Sequence, residues 1–248
     1  MGEMGNGASI LFEIPILGGI PITSTMVITW GVMLVLTLLC IWLTHDMKVK
    51  NVSKRQAVAE YIVNFAENFV IGNMGERFAK YVPFIAALFS LSIFSSLSSL
   101  LGFRVPPTAD LNTELGWALV VFVLITATKI KTNGPLGYVK SFGDPVVLMA
   151  PFNVLSEIFT PLSMSFRHFG NVLSGTVITT LLYAGLAAAS AWLFGMIPGM
   201  VGDILSQIPF LDVGIPAILS LYFDWFSGFM QAFIFCMLSM MYISTAAE

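Results

Sequence analysis

Arg167 is set apart by its isolation. No Asp, Glu, Lys or other Arg lies within nine positions on either side, and its flanks, PLSMSF before and, past His168, FGNVLSG after, are apolar or small. In a bilayer interior a charge costs at least ~2.5–3.5 kcal/mol, so it must face a polar cavity or a partner, and its default reading is functional. Thr160, Ser163, Arg167, Asn171 and Ser174 recur at three- and four-residue spacing, which puts them on one helical face. Gly170 and Gly175 leave room for a neighbouring backbone. Near the end of the chain Ser220, Asp224, Ser227 and Gln231 form a second polar stripe by the same rule, with Asp224 the only acid between Asp212 and Glu248. Two polar stripes with one charge each describe a path for an ion, not bond-making chemistry. No GxxxxGK[ST] loop is present to bind a nucleotide, and Cys40 and Cys236 lie in apolar runs unlike a metal or disulfide framework.

The elements that must position these stripes follow from composition. Of 248 residues 57% are hydrophobic and 10% charged, against roughly 25% charged in an average soluble domain. A net charge of −3 argues against a nucleic-acid partner. The expectation is an all-α polytopic membrane protein of about five embedded helices plus one amphipathic interfacial helix.

Residues 1–21 are read as an outer N-terminal segment without a basic signal-peptide region, which favours a bacterial plasma (inner) membrane. The first span is 22–44. Lys48, Lys50, Lys54 and Arg55 follow it, and the positive-inside rule makes this loop cytoplasmic and the N-terminus external. Residues 45–80 hold this loop and a helix whose stripe of Ala57, Val58, Tyr61, Ile62, Phe65, Phe69 and Val70 suits the membrane interface. Residues 81–130 form a hairpin: a serine-rich span from Tyr81 to Phe103, a turn capped by Asp110 or Asn112, and a return span over Leu115–Thr128 with Lys129 snorkelling. The serines favour close helix packing over an ion path.

Residues 145–246 form the ion-channel hairpin. A helix of ~45 residues is ~68 Å long, more than twice the ~30 Å hydrocarbon core, so its long segments must be strongly tilted, broken, or both. The C-terminus is expected in the cytoplasm. Asp144 is read as capping the long helix, Glu157 as lining the inner exit or lying on a solvated face, and the five tryptophans as membrane anchors.

At these residues a family resemblance becomes specific. PLSMSFRHFGNVLSG (161–175) resembles the signature of subunit a of the bacterial F-type ATP synthase. QAFIFCMLSMMYIS (231–244) is similar to that family's last helix, and PTADLN (107–112) to a motif of its outer loop. The resemblance implies a membrane stator with two offset half-channels that pass H⁺ (or Na⁺) to and from carboxylates of a rotating c-ring. It implies as partners the c-ring, the subunit b stalk, the rest of the complex and the lipid, with no cofactor. Arg167 is then the stator arginine, with Asn171 and Gln231 beside it and Ser174 and Ser227 along the ion pathway. Asp224 takes the place of an ionisable half-channel residue.

Two departures from the family pattern stand out. Thr176 occupies a position where many members carry Glu, and His168 replaces the usual leucine. His168 reads as a neutral interfacial or packing imidazole ahead of a proton relay. If Arg167 and Gln231 face each other on antiparallel helices, Thr176 comes opposite position 222, near Asp224. The competing class is a secondary ion-coupled transporter with a midplane arginine site. Such folds show related halves, and no internal repeat is visible here.

Overall fold

The computed structural model describes residues 10–15, 20–50, 52–98, 106–144, 146–196 and 221–247. Within them the chain is almost entirely helical, and five helices are long and apolar enough to cross a membrane. The exception is a small antiparallel hairpin, β1 (Ile10–Ile14) with β2 (Ile20–Thr23), where the sequence reading had placed no element. It leads directly into α1 (Ser24–Thr44), whose N-cap Thr23 accepts from the Met26 amide at 3.4 Å. The 21 residues of α1 make ~31 Å of helix, one hydrocarbon thickness.

Helix α2 (Lys54–Met74) begins at the Ser53 cap and stops at Gly75, whose φ of 90° suits a residue without a Cβ. A short 3₁₀ turn over Glu76–Tyr81 follows, so the expected helix to residue 80 ends early. Its apolar stripe divides. Val70 is buried and Phe69 sits against the rings of Phe89 and Phe233 at 6.2 and 5.6 Å, whereas Val58, Tyr61, Ile62 and Phe65 remain exposed. The C-terminal half of α2 therefore joins the helix bundle, and its N-terminal half keeps an uncovered apolar face.

Helix α3 (Val82–Leu97) buries Ser92, Ser95, Ser96 and Ser98. It meets α6 (Ser227–Thr245) so closely that a Cβ on Gly228 would stand 2.9 Å from the Cβ of Ser96. Small residues allow this approach where no hydrophobic force drives helices together. Helix α4 (Leu111–Ser141) is longer than the expected Leu115–Thr128. Asp110 caps it, accepting from the Asn112 amide at 3.0 Å and from the Thr25 hydroxyl of α1 at 2.6 Å. Gly134 (φ 71°) kinks it just before Pro135, which can neither donate to the preceding turn nor fit it sterically.

Helix α5 (Ala150–Gly195) runs 46 residues without a break, through Pro161. At ~69 Å it is over twice the hydrocarbon thickness, and no break of the kind expected interrupts it. Asp144 does not cap it: the N-cap is Met149, and Asp144 offers only its carbonyl, to the Asn153 amide at 3.0 Å. Residues 197–220, including Ser220, lie outside the described part. The chain resumes in a π-helical turn over Leu221–Phe226 that continues into α6. The core gathers Val70, Ile85, Val121, Met164, Phe235 and Met240 between α2, α3, α4, α5 and α6.

Candidate functional site

Helix α5 has two faces around position 167. Pro161, Met164, Ser165 and His168 are buried at i, i+3, i+4, i+7 spacing, the period of one helical stripe. Ser163, Phe166, Arg167, Asn171 and Ser174 are exposed. Arg167 thus directs its guanidinium to the open side while its backbone is tied down: the Gln231 amide on α6 donates to the Arg167 carbonyl at 2.9 Å. Four residues further along α5, and four back along α6, the Asn171 amide donates to the Ser227 hydroxyl at 3.0 Å. These two bonds fix the antiparallel register, which is the one that places Arg167 opposite Gln231. Ser174 closes onto the Asn171 carbonyl at 3.1 Å. Among the side chains described, no carboxylate lies within ion-pair reach of Arg167.

Asp224 lies within the π-helical turn, three residues before Ser227. Such a turn closes i→i+5 bonds and is frequent at functional sites. It also interrupts the regular spacing on which the stripe of Ser220, Asp224, Ser227 and Gln231 was based. Thr176 is on α5, one turn beyond Asn171. Glu157 is partly buried, and its carboxylate takes the Lys129 ammonium at 2.6 Å and the Tyr138 hydroxyl at 3.4 Å. It borders a cavity of about 110 Å³ with Phe122, Thr160 and Tyr242. Lys129 is accordingly an interhelical partner, not a snorkelling end.

His168 takes the packing alternative of the sequence reading: it is 1% exposed, and its Nδ1 stands 2.8 Å from Oε2 of Glu114, itself fully buried on α4. The rings of Trp117 and Phe235 flank the imidazole at 6.5 and 6.0 Å. Trp117 is therefore part of this packing, whereas Trp30, Trp42, Trp192 and Trp225 are exposed. Neither carboxylate oxygen of Glu114 and neither ring nitrogen of His168 forms a hydrogen bond of good geometry with a described residue, so the 2.8 Å approach of Nδ1 to Oε2 is what offsets the desolvation of the two groups. Sequence reasoning missed Glu114 because it started the span at Leu115. The available signal was the Asp110 cap, which makes residue 114 part of the first helical turns.

With this geometry in view, comparison with known proteins is direct. The family model for the ATP synthase A chain matches residues 26–244. The chain is similar to the sodium ion specific ATP synthase subunit a of Propionigenium modestum, 34% identical over 91% of this chain and 74% of that one. It is similar to ATP synthase subunit a of Desulforamulus reducens, 32% identical over 90% and 79% of the two chains. The same subunit of Albidiferax ferrireducens is 32% identical over 93% and 89%. An isolated arginine on the open face of a 46-residue helix, held by a glutamine of the last helix, sits inside a match spanning nearly the whole sequence, and the chain belongs to the ATP synthase subunit a family.

Proposed function

We propose that this chain is the membrane-embedded stator and ion channel of an F-type ATP synthase, and that the exposed face of α5 around Arg167 is the surface past which the ring carboxylates move. The observation that carries this is the contrast at a single residue: the Arg167 backbone is anchored by Gln231 while its side chain stays exposed and unpaired by any described carboxylate.

The chemistry follows from the group. A ring carboxylate that is neutral while facing lipid meets the guanidinium, which favours its charged form, so it releases its ion there. The guanidinium does not deprotonate. It therefore separates two aqueous half-channels without conducting between them, and an ion crosses only by riding the ring. Each charge moved through 100 mV is worth ~2.3 kcal/mol, and the chain, which has no nucleotide loop, passes this energy on as rotation while ATP forms elsewhere in the complex. Asp224, with Ser227, Asn171, Ser174 and the Thr176 backbone position near it, lines one half-channel. Glu157, ~15 Å along α5 from Arg167, lies toward the other.

Orientation follows the basic clusters at 48–55 and 129–140, which put the N-terminus outside and the C-terminus in the cytoplasm of a bacterial cell. Partners are the c-ring on the α5 face, a subunit b stalk and the rest of the complex. Residues 145–246 act as the ion-channel hairpin.

The test is Arg167→Ala in the assembled complex in inverted membrane vesicles. Gradient-driven ATP synthesis should fall to background, and normal synthesis would refute the proposal. ATP-driven uptake measured with and without sodium identifies the ion.

A further inference from the structure

Arg167 and His168 are neighbours in sequence and face different sides of α5. Successive residues of an α-helix are ~100° apart, so whatever fixes the direction of His168 also fixes that of Arg167. We infer that the buried Glu114–His168 pair, together with the Gln231 amide, sets the rotation of α5 about its own axis and thereby aims Arg167 at the open face. Glu114 is a positioning residue for the stator arginine. This rests on the stator reading of Arg167.

Helix α5 needs such a device. Only Pro161, Met164, Ser165, His168, Gly175 and Ser190 are buried among its described side chains. Ser165 bonds within its own helix, to the Leu162 carbonyl at 3.0 Å. An apolar stripe this short permits a helix to roll by a fraction of a turn at little cost. A directed contact of 2.8 Å between two buried groups does not. Rolling α5 would take the His168 imidazole from between Trp117 and Phe235 and leave the fully buried Glu114 carboxyl without it, and a buried ionisable group that loses its partner is strongly unfavourable. The Gln231 bond acts on the neighbouring carbonyl from α6, so the turn 167–168 is gripped from two sides.

A proton relay through the pair fits the packing poorly. The gap enclosed by Met164, Arg167, His168, Gln231 and Phe235 has no room for a water molecule. What the geometry offers is a brace: a buried acid of α4 stands 2.8 Å from the buried imidazole of α5.

The test uses the whole complex in vesicles, reading ions pumped per ATP hydrolysed, with Arg167→Ala as the control for the stator reading itself. His168→Leu and Glu114→Leu alone should each lower this ratio at least about tenfold, while the double variant, which replaces the pair by apolar packing, returns to within about twofold of the parent. Glu114→Gln, which keeps a polar oxygen beside the imidazole, should stay within about threefold, an outcome a proton-carrying carboxylate would not allow. A second readout needs only the inserted chain: the oxidative cross-link between Asn171→Cys and Ser227→Cys, in a Cys40→Ser background. Its yield should fall in either leucine variant and recover in the double.

Unchanged ratio and cross-link in the single variants would overturn the inference. So would a double variant that assembles and cross-links but stays as uncoupled as the singles, because the groups would then act through charge and not through alignment. If Arg167→Ala itself pumps normally, the stator reading fails first.

Discussion

Within one stretch of α5, residues 161–174, the two faces of a single helix behave differently. On the α4 side Met164, Ser165 and His168 are buried, and His168 has a carboxylate partner at 2.8 Å. On the open side Ser163, Arg167, Asn171 and Ser174 are exposed, and the arginine has no carboxylate partner among the described side chains. The two most polar residues of the segment are adjacent, yet one is packed inside the chain and the other is exposed on the face proposed for the ion path. Polarity in an apolar helix therefore marks a constraint without saying which kind; the distinction comes from where the partner is. A partner inside the chain makes a brace. An exposed charge with no partner among the described side chains fits the proposed contact with another molecule.

The most severe way to break this contrast is to exchange the two residues. In Arg167→His/His168→Arg the composition is unchanged, but a guanidinium must fit between Trp117 and Phe235 where an imidazole now sits, and the open face receives a group that can lose its proton. Gradient-driven ATP synthesis should be abolished, and little chain should co-purify with the c-ring. Detectable synthesis by the exchanged variant would show that the two faces are interchangeable.

A smaller effect is expected from the far side of the same groove. Asp224 is three residues before Ser227 and Thr176 five after Asn171, so in the register fixed by the Asn171–Ser227 bond they differ by two residues, ~3 Å of regular helix. Asp224→Asn should lower ATP-driven ion uptake by at least about tenfold while the complex still assembles, since loss of a group that acts on the moving ion costs rate and not packing. Asp224→Glu should keep a measurable part, and adding Thr176→Glu to Asp224→Asn should restore some uptake if one cavity serves both walls. Full uptake by Asp224→Asn would remove this acid from the pathway.

Much of this was legible in the sequence because membranes simplify the code. Long apolar runs mark the spans, and the isolation of Arg167 marks the residue on which the proposed site is built. The Arg167–Gln231 register followed from the family motifs and is the one found. What stayed hidden depended on pairing across helices. Glu114 went unnoticed because the Asp110 cap places it in a first helical turn but nothing local reveals that residue 168, on another helix, comes within reach of it. Lys129 looked like a snorkelling end, and its attachment to Glu157 is likewise invisible to a one-dimensional reading. The π-helical turn at Leu221–Phe226 was missed for a different reason: three- and four-residue spacing presumes regular turns. The division of the α2 stripe, with Phe69 inside and Phe65 outside, depends on how far α3 and α6 extend along it.

The mildest prediction sharpens the comparison at the end of α5 near the basic residues. Glu157 resembles His168 in having a partner on α4 and resembles Arg167 in being charged. Its bond to Lys129 is short, 2.6 Å, but both side chains retain water contact, 31% exposure for the lysine and 15% for the acid. A partly solvated pair of this kind contributes about 1 kcal/mol or less, and the Tyr138 hydroxyl at 3.4 Å adds little. If Glu157 serves mainly to tie α5 to α4, then Glu157→Gln, which still accepts from Lys129, should change ion uptake by less than about twofold, and Lys129→Met should behave alike. If instead its charge receives ions leaving the ring, Glu157→Gln alone should slow uptake far more than Lys129→Met, which keeps the carboxylate. The pair of variants, measured in the same vesicles, separates the two roles because only one of them removes the acid. Equal, small effects would place Glu157 with the bracing face, and a selective loss in Glu157→Gln would move it to the conducting one.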